Sequence, residues 1–197
     1  MKMIWIVLIV FIGGCSVSKP HVSEYTLAPQ IQSQEYVSQS CKEKSLKIGQ
    51  VFSSNSLMSQ KMKYIESEYK EAAFTQSEWA RTPNRAISDV LVKSIRSSDI
   101  FGNISSFKSR TKTDLLLETN IETFMQYFAK GNEASYVQVV VTLNLLNTKD
   151  SKSVSHATFN AKVDSKSVDA YGGVVALNGA LSKVLFETNN WLDGVCR

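Results

Sequence analysis

Between Thr113 and Val163 the chain alternates apolar and polar residues through three successive stretches. In Thr113 to Tyr127, Leu115, Leu117, Ile121 and Met125 fall on one side, and Asp114, Glu118, Asn120 and Glu122 on the other. In Val137 to Leu146, Val137, Val139, Val141, Leu143 and Leu145 alternate with Gln138, Thr142 and Asn144. In Val154 to Val163, Ala157, Phe159, Ala161 and Val163 alternate with His156, Thr158, Asn160 and Lys162. A period of two sends successive side chains to opposite faces of a strand. Lys130-Gly131-Asn132 and Asn147 to Lys152 supply turn chemistry between the stretches. The pattern predicts an antiparallel meander with one buried and one wetter face. Phe124 and Phe128 fall on the otherwise polar side of the first stretch, and Tyr136 sits at the same hairpin. These three are candidate interface residues; burial at element ends is the alternative for aromatics in such places.

The flanking segments add helices on one side of this sheet. Leu46, Ile48 and Phe52 share one side of an earlier period-two run, and Met62 to Ile65 and Tyr69 to Phe74 read as two more strands. Glu78-Trp79-Ala80-Arg81 leads into Thr82-Pro83, where Thr82 can cap a helix and Pro83 occupies its first position. Ile87, Val90, Leu91 and Ile95 then form one helical stripe that ends near Ser97 or Ser98. Ile100-Phe101 folds back on the core. A last helix runs from about Val168 to Trp191, with Val174, Leu177, Leu181, Val184 and Leu185 as its stripe and Gly194 as a stop. Gly172, Gly173 and Gly179 each cost about 1 kcal/mol relative to Ala inside a helix. They point to close helix–sheet packing or a delayed start. The fold class expected is α+β: a two-layer sandwich, a mainly antiparallel sheet with two helices packed on one face.

The N-terminus sets the compartment. Lys2 precedes an unbroken apolar run from Met3 to Ile12. That run is too short for an ordinary spanning helix, which takes about 20 apolar residues, and fits the apolar region of a secretory signal. Ile12-Gly13-Gly14-Cys15 follows, in the order that a lipoprotein signal peptidase reads. Residues 1–14 are therefore expected to be a lipoprotein signal peptide, and Cys15 the lipid anchor. The acylated Cys15 would tie the chain to a membrane through two or three acyl chains. Ser16 rather than Asp after that Cys favours the outer membrane, with the protein facing the periplasm. Residues 15–45, rich in Ser and Gln and holding Pro20 and Pro29, read as a tether. Within them Tyr25-Thr26-Leu27 is apolar enough to add an edge strand. The remaining 46–197 form a domain of ordinary size.

Cys41 and Cys196 are left after the anchor. In an oxidising periplasm they are a candidate disulfide. Such a bridge would join the start of the domain to its end, with about 4–5 kcal/mol of loop-closure stabilisation in the chain-entropy model. Two free thiols are the alternative.

No phosphate-binding loop, dinucleotide fingerprint, nucleophile elbow or His-Glu-x-x-His motif is present. His21 and His156, the two histidines, have no partner at ligand spacing, so no metal site and no cofactor is expected. The net charge of +4 is small and scattered, which gives no signal for nucleic acid. Nothing in the residues points to an enzyme.

Several segments, in order, resemble one family. The Ile12–Cys15 motif is followed by Tyr25-Thr26-Leu27, then Phe74 to Pro83 (FTQSEWARTP), Thr113 to Phe124 (TDLLLETNIETF), Gly172 to Leu181 (GGVVALNGAL) and Trp191-Leu192. Together these are similar to the ABC-type transport auxiliary lipoprotein family, the PqiC-like intermembrane transport lipoproteins. The segment at Gly172 carries the likeness best. Thr113 departs from it, because the family has Ala there. The resemblance implies a non-enzymatic accessory of an ABC/MCE-type lipid transport system between inner and outer membranes. Its partners would be an MCE-domain protein and the ABC permease and ATPase of the same system, with a homo-oligomeric ring as one arrangement. A pilotin or envelope scaffold without lipid cargo is the rival reading.

Overall fold

The computed structural model describes residues 21–32, 34–36 and 40–197. The expected signal peptide, residues 1–14, and the expected anchor Cys15 lie outside the described residues. Eight strands and two helices follow in the order β1 (Ser23–Tyr25), β2 (Ser45–Ser53), β3 (Lys61–Ser67), β4 (Lys70–Trp79), α1 (Pro83–Ser97), β5 (Asn103–Ser106), β6 (Leu115–Phe128), β7 (Ser135–Asn147), β8 (Ser153–Asp164) and α2 (Ala170–Val195).

The three alternating stretches form the expected meander. β6 pairs antiparallel with β7 from Leu115↔Asn147 to Phe128↔Ser135, and β7 pairs antiparallel with β8 from Tyr136↔Asp164 to Leu146↔Ser153. The other edge of β6 is long enough to take two strands end to end. β2 lies along its first half, parallel, at Leu46↔Leu115 to Ser53↔Ile121. β3 lies along its end, also parallel, at Tyr64↔Gln126 and Ile65↔Tyr127. Beyond these, β5 adds to β2, while β4 and then β1 add to β3. The longest ladders are antiparallel, and the shorter parallel pairings come from chain crossovers. One of them carries α1, which lies between the parallel neighbours β2 and β5 in sequence and packs on both.

Both helices cover the face that the odd-numbered residues of β7 present. Val137, Val139, Val141, Leu143 and Leu145 are all but completely buried there, with Leu46, Ile48 and Leu117 beside them. Ile87, Leu91 and Ile95 from α1 and Leu177, Leu181, Val184 and Leu185 from α2 close the core above the sheet. The helices meet where the Asn189 Nδ2 donates to Ser94 Oγ at 3.0 Å. The opposite face of β6–β8 carries Glu118, Glu122, Thr142, Asn144, His156, Thr158 and Lys162, all exposed or half-exposed. It is the wetter face that the alternation required.

Two β-bulges change what the alternation implied. The register of β2 on β6 shifts between Ile48 and Val51. One inserted residue reverses the parity of everything after it, so Val51 is buried and Phe52 is 58% exposed. Phe52 does not share the core side with Leu46 and Ile48. The second shift lies between Ile121 and Thr123 on β6. It turns Phe124 into the core, at 3% exposure.

The expected tether joins the fold well before residue 46. Ser23–Tyr25 pairs parallel with Ser77–Trp79 of β4, the Tyr25 carbonyl accepts from Ala80 N, and Leu27 is buried. Ala28 N donates to Asn178 Oδ1 on α2 at 2.7 Å. Cys41 and Cys196 are joined by a disulfide with their Cα atoms 5.5 Å apart, so the end of α2 is tied to the turn before β2.

Candidate functional site

The Gly172–Gly173 pair sits where α2 begins, and the packing there explains the residues. Asp169 precedes the helix and its Oδ1 accepts from Gly172 N at 2.7 Å, a side-chain cap. Ser167 Oγ donates to the same carboxylate. These two hydrogen bonds, the backbone one first, hold the Asp169 carboxyl below its ordinary range. A Cβ on Gly172 would stand 2.2 Å from the Ser167 carbonyl oxygen, and one on Gly173 would stand 2.0 Å from Gln126 Oε1. Gln126 is 2% exposed, and its Nε2 donates to Ser135 Oγ and to the Asp169 carbonyl. The helix start therefore lies directly on β6, and both glycines serve close packing. Gly179 has open space around it, so the packing reason does not extend to it.

Thr82 stands at the N-cap position of α1, with Pro83 at the first helical position. Its carbonyl accepts from Arg85 N and Ala86 N, but its hydroxyl makes no capping bond. The expected cap is positional only.

The three candidate interface residues are not on one surface. Phe124 is a core residue, with its ring centroid 5.8 Å from that of Trp79; the bulge after Ile121 is the reason it is not on the polar face. The same bulge carries Phe128 to the helix side, where it packs half-buried against Tyr64, 5.0 Å away, and Phe74, 6.3 Å away. Tyr136 alone is on the open face. It stacks on Tyr127 at 5.1 Å with an interplanar angle of 6°, and Lys162 Nζ lies 3.7 Å above its ring centroid. Burial raises the Tyr127 pKa above the ordinary phenol value, and neighbouring Tyr136 adds to the effect.

The more exposed apolar side chains lie elsewhere. Tyr69 at the β3–β4 hairpin is 91% exposed, and Tyr171 projects from the first turn of α2. Met58 and Phe107 stand at a cavity beside the start of α1. The sequence reading did not single out that cavity, because its walls come from four separate segments.

Among the described residues no group of His, Cys, Asp and Glu is placed to hold a metal ion. His156 is exposed on the open sheet face, and His21 is exposed ahead of β1. No described helix is long and apolar enough to cross a membrane.

The architecture matches solved structures at low sequence identity. A crystal structure of protein XCC0632 from Xanthomonas campestris superimposes with a TM-score of 0.78 and 16% identity, covering 88% of this chain and 96% of that one. A second, an uncharacterized protein, gives a TM-score of 0.67 and 14% identity over 87% of this chain and 98% of that chain. At these identities the likeness shows a shared fold. No curated protein matches the sequence. The family model for the ABC-type transport auxiliary lipoprotein component matches residues 25–187, from the edge strand β1 to the last turns of α2. The chain therefore belongs to the ABC-type transport auxiliary lipoprotein family.

Proposed function

We propose that the protein is a lipid-anchored accessory of an ABC/MCE-type system that moves lipids between the inner and outer membranes, held at the outer membrane by Cys15 and facing the periplasm. The observation that carries this reading is the family match over residues 25–187. The apolar run and Gly13-Gly14-Cys15-Ser16 ahead of it support the anchor and its membrane. The role is that of an auxiliary component. In this reading it binds the MCE-domain protein and the permease–ATPase pair, and does no chemistry of its own. The short chain between Cys15 and β1 holds the domain close to the membrane surface, because even fully extended residues span only about 3.3–3.6 Å each.

Capture of the full-length lipoprotein from cross-linked, detergent-solubilised membranes tests this. An MCE-domain protein and an ABC permease or ATPase recovered with it support the reading. Recovery of a secretion or outer-membrane assembly machine in their place would instead establish the pilotin or scaffold role.

A further inference from the structure

β8 is a long strand with one open edge. It runs for 12 residues and pairs only with β7. The other outer strands, β1 and β5, have 3 and 4 residues. From Ser155 to Asp164 the register of β8 on β7 is unbroken, and the strand holds no proline and one lysine. Proteins blunt such an edge with bulges, prolines or charges, because its unpaired N–H and C=O groups are a template for another strand. Among the described residues no strand pairs with this edge. A groove of about 560 Å³ lies between residues 158–162 of β8 and the α2 turn that holds Lys183 and Glu187. β8 contributes residues of both parities to it, which only the open edge of a strand can present.

We propose that this edge joins the same edge of a second copy of the chain, antiparallel, about a two-fold axis at Asn160. Such self-pairing sets each residue opposite one of the same parity, so the open-face side chains meet one another. Centred on Asn160, it places His156 opposite the partner's Asp164, and the imidazole N–H donates to that carboxylate. On the helix side Phe159 falls opposite the partner's Ala161, and Ala157 opposite the partner's Val163, a large side chain against a small one each time. The neighbouring registers are poorer. Centred on Phe159, the pairing sets His156 against the partner's Lys162; centred on Ala161, it sets His156 against the partner's Lys166. Unlike charges across strands are favourable and like charges are not.

α2 supplies a second match. The groove puts Asn160 level with Lys183 and Glu187. Both are exposed, and neither has an ion pair among the described residues. The two-fold axis reverses the helix direction, so Lys183 faces the partner's Glu187 and Glu187 faces the partner's Lys183. The axis is normal to the sheet. Both helix layers then lie on one side, and both β1 strands lie at one height along the axis, as two lipid anchors in one membrane require. The pairing rests on the edge and its charges, not on the transport reading.

Cross-linking of the full-length lipoprotein in its own membranes tests the register. With Cys41 and Cys196 bridged and Cys15 acylated, Asn160→Cys adds the free thiol. Directly opposed Cβ atoms stand about 4.5–5.5 Å apart, so a one-carbon bis-methanethiosulfonate should link at least half of the chains as dimers. Thr158→Cys lies on the same strand and face, but its two copies stand about 14 Å apart at the strand rise of about 3.4 Å per residue. It should link less than a tenth as well. Sedimentation of the full-length protein in a neutral detergent reads the affinity. Lys183→Glu should weaken the dimer at least tenfold, and Lys183→Glu combined with Glu187→Lys should restore it. Melting midpoints equal to the wild type separate a lost dimer from a lost fold. A wild type that is monomeric in sedimentation, with no link at Asn160→Cys, overturns the proposal. Equal linking at the two cysteine positions overturns it too, as does an assembly larger than two chains that Lys183→Glu leaves intact. An adduct from Asn160→Cys to another envelope protein, with none to a second copy, overturns the choice of occupant.

Discussion

Asp169 sets where α2 begins. Its carboxylate caps α2 through Gly172 N, and α2 is one of the two helices that close the core above the sheet. Asp169→Ala should cost about 1 kcal/mol in urea unfolding, the usual loss for a cap. The pH dependence follows from the sign of the shift. The carboxyl is held below its unfolded value by the Gly172 N and Ser167 Oγ bonds. Its contribution is therefore present above the ordinary carboxylate range and fades as pH falls through the lower, folded pKa. Asp114 behaves the same way, held low by Ser45 N and Ser45 Oγ where β2 meets β6. The urea midpoint of the wild type should drop between about pH 4 and the acid limit, and Asp169→Ala should flatten that drop. A variant with the wild-type acid dependence would show that the cap is not formed.

Glycine positions give a sharper test at the scale of elements. Gly172→Ala drives a Cβ to 2.2 Å from a backbone carbonyl, which cannot yield cheaply. It should cost about 1–3 kcal/mol, the usual cost of overpacking. Gly179→Ala meets nothing within 4 Å and should instead stabilise α2 by about 0.5–1 kcal/mol, by helix propensity alone. Thermal melts of the two variants should move in opposite directions. The elements themselves were readable from sequence, because alternation along 115–163 and the stripes of α1 and α2 are strong periodic signals. What could not be read was parity beyond a bulge. A bulge leaves no fixed residue signature, so Phe52 and Phe124 exchanged faces relative to the pattern. The edge pairing of Tyr25 was legible in outline, whereas the docking of β2 and β3 end to end along β6 was not, since parallel partners are set by crossovers and not by local spacing. The cavity at α1 escaped for a related reason: Thr82, Asn84, Arg85 and Lys108 become neighbours of one opening only when the separate segments meet.

At the scale of the whole molecule, one covalent link and one proposed anchor define the object. The Cys41–Cys196 bridge closes a loop 155 residues long, so nearly all of the folded domain lies inside it. Cys41→Ser with Cys196→Ser should lower stability by about 2–5 kcal/mol, read from urea melts of the full-length protein. Non-reducing mass spectrometry of the wild type should find no reactive thiol at either position; two free thiols there would overturn the bridge. The anchor is tested by Cys15→Ser, which should move the protein out of the membrane pellet into the soluble envelope fraction while leaving its melting midpoint unchanged. Continued pelleting of that variant would contradict the lipid anchor.

The central claim, an envelope accessory that works against a transporter, is tested most directly inside the living envelope. A photo-cross-linking amino acid placed in turn at Tyr69 in the β3–β4 hairpin, Phe52 on β2 and Tyr171 on α2, all exposed, records what the protein touches. The account predicts an ultraviolet-dependent adduct to an MCE-domain protein or an ABC permease from at least one of these positions, and its loss in the Cys15→Ser background. Adducts from all three positions to a secretion or outer-membrane assembly machine, with none to a transporter component, would contradict it.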